Sequence, residues 1–175
     1  DRSPSRGLGD VYKRQDITLT LPELTGDLIP GKFGGTDFTG SILIGHATTG
    51  TLSAATYNVG IGGATLDAIT QGDNNVAIGY NSLGDITTGS ANVGIGRYAT
   101  GDVTTSSNNV GIGDNALRLA TGAGNIALGY QAGNNITSGS GNVVIGNADV
   151  SSATGNDQLS ISTGDDGSVV WMTGD

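Results

Sequence analysis

The side chains here that could do chemistry are few, and their spacing decides what each could do. The one histidine, His46, sits directly after Gly45. Equivalent places further along hold Gly63, Tyr80, Arg97, Asp114, Tyr130 and Asn147. A position that accepts all of these reads as exposed loop rather than an imidazole site. Tyr80, Tyr98 and Tyr130 fall near the same point of the chain's repeat. They read as aromatics that contact a sugar or a protein, or else as decoration of a wet rim. Carboxylates are scattered over Asp67, Asp85, Asp102 and Asp114. Asp85 and Asp102 are 17 residues apart, and if stacked they would offer oxygens to a hard cation such as Ca²⁺. The nine-residue calcium-roll signature is absent, and Asp165-Asp166-Gly167 lacks the spacing of a twelve-residue calcium loop. No stretch concentrates acids into a glycosidase pair. An ice-binding face would need Thr at alternate positions, whereas Thr87-Thr88 and Thr104-Thr105 are consecutive. The chain is therefore expected not to be an enzyme, with no catalytic residue, no cofactor and no metal site.

Composition narrows the class further. Of 175 residues 32 are Gly, charged residues make up 13% and aromatics 5%. So little charge argues against a solvated helical bundle and against a charge-driven disordered tail. The glycines lack the three-residue period of collagen. No run approaches the 18 apolar residues of a membrane span, so none is expected within this stretch. There is no Cys, which excludes thiolate catalysis, Cys-ligated zinc and disulfides. A net charge of −9 argues against a nucleic-acid partner, since phosphate binding needs clustered Lys and Arg.

Ser5 to Gln15 read SRGLGDVYKRQ. This string resembles the in-frame translation of a transposase adapter used in sequencing libraries. On that reading residues 1–15 are a non-native tail to be set aside; the other reading is a short basic arm. Without them Lys and Arg fall from 7 to 3 and acids from 16 to 14, leaving about −11.

One period organises the rest. Ser41, Asn58, Asn75, Asn92, Asn109, Asn125 and Asn142 each open a copy of the same five-residue pattern. Spacings are 17 residues, with a single 16 between Asn109 and Asn125. Seven copies at a fixed period predict a solenoid. The first position after Asn is Val or Ile. The third holds Ile44, Ile61, Ile78, Ile95, Ile112, Leu128 and Ile145. Mostly β-branched residues two apart predict one buried face of a short strand. Between them Leu43, Gly60, Ala77, Gly94, Gly111, Ala127 and Val144 are expected to point outward. The fourth position is always Gly: Gly45, Gly62, Gly79, Gly96, Gly113, Gly129 and Gly146. That predicts a positive φ or a tight corner.

A second short strand is expected around Leu52, Ile69, Ile86, Val103, Ala120, Ile136 and Ala153, each followed by Ser or Thr. Leu66, Leu83 and Leu117 add apolar weight before it. Glycine frequency and the two-residue apolar spacing make helix a poor alternative. Parallel stacking of the turns would give a rod about 34 Å tall. The Asn positions would then form a hydrogen-bonded ladder, or else simply suit the turn backbone. Each turn offers few side chains to bury, so a lone rod is thin. A parallel homo-oligomer, approaching over the small outward residues, would add burial.

The pattern N-V-A-I-G-x-x-[AS]-L resembles the head repeats of trimeric autotransporter adhesins, and related repeats in the fibres of tailed phages. Asn75 to Leu83 is the closest copy and Asn109 to Leu117 the next. The likeness covers residues 41–155. It implies a left-handed parallel β-roll assembled as a homotrimer, in an extracellular fibre on a virion or, alternatively, on a bacterial cell surface. A host-surface receptor or glycan would be the partner. The adhesin period is a few residues shorter than 17. Residues 16–40 form a leading segment in which Asp16-ITLTLPELTGDLI resembles phage-fibre segments. Residues 156–175 read as a β-hairpin turning at Asp165-Asp166-Gly167. That stretch is similar to the one leading to a self-cleaving chaperone domain in phage fibres, and Asp175 reads as an interruption rather than a natural end. The expected architecture is thus an all-β parallel roll of about seven turns, in which Ile78→Asp would dissolve the core.

Overall fold

A turn of 17 residues leaves little cross-section, and that limit governs which side chains fit inside. The computed structural model describes residues 31–33, 37–45, 49–163 and 169–174. Ten strands form one sheet in chain order. β1 is Gly31–Phe33 and pairs antiparallel with β2, Ile42–Ile44. Next come β3 Val59–Ile61, β4 Val76–Ile78, β5 Val93–Ile95, β6 Val110–Ile112, β7 Ile126–Leu128 and β8 Val143–Ile145. β9 is Leu159–Thr163, and β10, Val169–Gly174, pairs back on it antiparallel. From β2 to β9 every pairing is parallel, and like position stacks on like, as in Val76↔Val93, Ala77↔Gly94 and Ile78↔Ile95. The fold is an all-β parallel solenoid of about seven turns. The 16-residue turn keeps this register, since Val110 still pairs with Ile126.

Two expectations are corrected. First, the strand faces are reversed. Leu43, Ala77, Ala127 and Val144 are wholly buried, and Gly60, Gly94 and Gly111 are buried with them. The flanking Val and Ile are half-buried or exposed: Ile61, Ile112 and Ile145 are each about 40% exposed. Space is the reason. Leu66, Ile69, Leu83, Ile86, Leu117 and Ile136 already fill the interior from the rest of each turn. A Cβ on Gly60 would stand 2.3 Å from Leu43 Cδ1, and one on Gly94 2.5 Å from Ser82 Oγ. Only a small residue suits most inward positions, so the branched pair is turned out.

Second, the later apolar stretch is not a strand. Ile69, Ile86, Val103 and Ile136 are buried, but their turns are joined there by isolated rungs. The Thr70 N–H donates to Thr87 O at 3.0 Å, and Thr87 N–H to Thr104 O at 2.8 Å. The hydroxyls of Thr70 and Thr87 donate to the same carbonyls. Around these rungs the backbone folds through positive φ at residues without glycine's freedom. Asn81 (52°), Leu83 (48°) and Ala91 (57°) do so within one turn. Each such residue costs roughly 1–2 kcal/mol. The repeated leucines accept it because they are driven wholly inside.

Reversal of the faces moves the interior test by one residue. Ala77→Asp places an unpaired carboxylate where no water reaches, at a cost of several kcal/mol. The expected outcome is loss of the folded circular dichroism spectrum at room temperature.

Candidate binding surfaces of the roll

The residues singled out by the repeat fall into three columns. In the first, Gly62, Gly79, Gly96, Gly113 and Gly129 take φ between 125° and 140°, with Gly45 at 109° and Gly146 at 100°. A Cβ on Gly96 would lie 2.5 Å from Gly113 O. No other residue type combines that φ with so close an approach between turns.

The second column is buried asparagine. Asn58, Asn75, Asn92, Asn109, Asn125 and Asn142 are all wholly inaccessible. Each Oδ1 accepts the backbone N–H of the next column member: Asn75 N–H to Asn58 Oδ1 at 2.9 Å, Asn92 N–H to Asn75 Oδ1 at 3.0 Å, and so on to Asn142. From Asn75 onward each Nδ2 also donates back along the column, as from Asn92 to Asn75 Oδ1 at 3.1 Å. A second Nδ2 bond closes the loop of the same turn, from Asn58 to Gly72 O, Asn75 to Gly89 O and Asn92 to Ser106 O. Ser41 starts the column, its Oγ accepting Asn58 N–H at 2.8 Å. Gln158 ends it, donating both N–H and Nε2–H to Asn142 Oδ1. Both earlier readings of Asn therefore meet in one residue: it forms a ladder and it fixes the turn. A parallel polar column escaped the sequence reading. Thr56 N–H donates to Asp73 Oδ1, Asp73 N–H to Ser90 Oγ, and Ser90 N–H to Ser107 Oγ.

The third column lies outside. Ile61, Ile78, Ile95, Ile112 and Ile145, with Leu128, form an apolar stripe beside the Val and Ile of the first strand position. It runs from β3 to β8 without interruption by charge.

Past the glycine corner the tyrosines meet the two arginines of the roll. Tyr80 and Tyr98 pack edge to face with centroids 5.5 Å apart. Arg97 Cζ lies 5.4 Å and Arg118 Cζ 5.0 Å from the Tyr98 centroid, within the ~6 Å range of cation–π attraction. Arg97 also grips Asp114, Nε to Oδ2 at 2.9 Å and Nη2 to Oδ1 at 3.1 Å. That hydrogen-bonded carboxylate holds the guanidinium even more firmly protonated than an ordinary arginine. Exposed Tyr130 lies within electrostatic reach of Arg97. Beside this cluster runs a groove of about 440 Å³ lined by Arg97, Asn115, Arg118, Gln131, Asn134 and Asn135, with Leu119 at its edge. Sequence reasoning marked the tyrosines but missed Arg118, which reaches the Tyr98 ring and the groove from the following turn.

Among the described residues no three of His, Cys, Asp and Glu come together, so Asp85 and Asp102 gain no third ligand. No helix among them is long and apolar enough to cross a membrane. His46, residues 1–15 and Asp165-Asp166-Gly167 lie outside the described residues.

The class that this fold defines is the parallel β-solenoid. Compared with models of protein families, with curated proteins and with solved structures, the chain matches none.

The asparagine column makes a graded prediction. Asn92→Ala leaves the buried Asn109 N–H without its acceptor and takes the side-chain donor from Asn75 Oδ1 and from half-buried Ser106 O, and costs about 3 kcal/mol. Asn92→Ser keeps an acceptor for Asn109 N–H, as Ser41 does for Asn58, and should cost less. Thermal melts of the two variants beside the parent check the order.

Proposed function

We propose that the chain is a structural and adhesive segment of an extracellular fibre, a phage tail-fibre shaft or head that supports host attachment. Its working unit is a parallel homotrimer. The observation that carries this reading is the outer stripe of Val, Ile and Leu. Among the described residues the other repeating apolar columns are inside, and this one repeats a large apolar residue toward the outer surface turn after turn. Contiguous apolar surface of this kind marks an association face. A partner of the same period matches it rung for rung, and the same chain has that period.

The role is mechanical and multivalent, not enzymatic. Three copies of a weak site on one rigid stalk gain avidity without any new contact. The head of a bacterial trimeric autotransporter adhesin is the alternative setting, favoured by the Asn75 to Leu83 copy of the head-type motif. The Asp16 to Ile29 segment favours the phage setting.

Light scattering on the full chain should return the mass of three chains. Ile78→Asp, on the outer stripe, should lower that mass toward one chain. A parent that is monomeric at all concentrations overturns the trimer.

A further inference from the structure

We propose that the groove beside Arg118 binds a saccharide unit bearing a carboxylate, such as the uronate of an acidic glycan. The inference deepens the adhesive reading above and rests on it.

Charge comes first. Residues 41–155 hold six Asp and only two basic residues, Arg97 and Arg118. The fold brings both arginines to one groove. They differ in what they have left to give. Arg97 is neutralised by its two-point bond to Asp114. Arg118 makes one long hydrogen bond, to the neutral Asn115 Oδ1 at 3.4 Å, and rests against the Tyr98 ring. Its charge is pre-placed at the groove without a carboxylate partner among the described residues. A guanidinium so held suits a planar, two-oxygen anion.

The remaining wall sets the class of molecule around that anion. Gln131 and Asn134 have no side-chain hydrogen bond among the described residues. Each amide offers a donor and an acceptor together, the pairing that a ring of hydroxyls requires. Asn135 is locked by bonds to Val150, Nδ2 to O at 2.8 Å and Oδ1 from N–H at 3.2 Å. It gives the wall a fixed edge, and Asp149 accepts its N–H at 3.3 Å. Leu119, 44% exposed, supplies an apolar patch for the C–H face of a sugar. The volume lies within the range of ligand clefts, ~300–1,000 Å³. A neutral sugar would leave Arg118 unused. An acidic peptide would bring several carboxylates to one available cation. The net charge of −9 repels polyanions in general, so affinity has to arise from this local arrangement.

The test titrates the full chain with trigalacturonate, a glucuronate disaccharide and sialyllactose, using calorimetry. Methyl-esterified trigalacturonate, maltotriose and a hexaglutamate peptide are run beside them. At least one acidic saccharide should bind. Its binding should weaken at least about tenfold on esterification and in Arg118→Gln, while the melting point of the variant stays at the parent value. Absence of binding by all three acidic saccharides overturns the proposal. So does equal binding by the ester or by Arg118→Gln, and tighter binding of hexaglutamate overturns the saccharide class. Chain mass is read on the same samples. A three-chain mass without binding overturns the groove alone, and binding by a single chain overturns the trimer alone.

Discussion

A buried primary amide has to satisfy two N–H donors and an oxygen, and six of them stand in one column here. The solution is reciprocal. The oxygen of each asparagine takes the backbone N–H of the next turn, and its amide nitrogen reaches back to the previous oxygen. The remaining N–H reaches a loop carbonyl of its own turn at Asn58, Asn75, Asn92, Asn125 and Asn142. A strand slipped by one position would leave the whole column unpaired, so the ladder fixes register as well as adding stability. Where the Asn109 turn is one residue short, strand register is unchanged and Asn109 keeps its column bonds. The loop absorbs the deletion and the column does not move.

With register fixed, the narrow interior decides the rest. Inward strand positions are mostly Gly or Ala because the leucine and isoleucine of the same turn already occupy the space. Branched residues are thereby committed to the outside, where they make the surface on which the fibre reading depends. The same 17-residue step that stacks isoleucine on isoleucine sets Arg97 over Asp114, and Arg118, four residues further on, reaches the Tyr98 ring. Core, outer apolar stripe and groove are consequences of one repeat length.

Much of this was legible in the sequence. The period, the strands, the parallel stacking and the glycine corner follow from residues that recur at fixed spacing. Which face of the strand is buried was not, because Val-x-Ile alternation is satisfied equally by either face. Cross-section chose between them, and cross-section depends on contacts across the roll. The positive φ of Leu66, Leu83 and Leu117 runs against leucine's own preference, so propensity pointed the wrong way there. β9 stacks on β8 as a further parallel rung although Gln158 replaces Asn and Ser162 replaces Gly. Residue identity had faded there while geometry persisted. At the groove the aromatic corner was readable, but the role of Arg118 required knowing which residue lies one turn away.

Site-resolved hydrogen exchange tests the central claim, that the buried asparagine column ties the turns together. The backbone amides of Asn75, Asn92, Asn109, Asn125 and Asn142 should be among the slowest in the molecule and should exchange together, at the free energy of global unfolding. Exchange of these amides as fast as that of the exposed Arg118 would contradict the account.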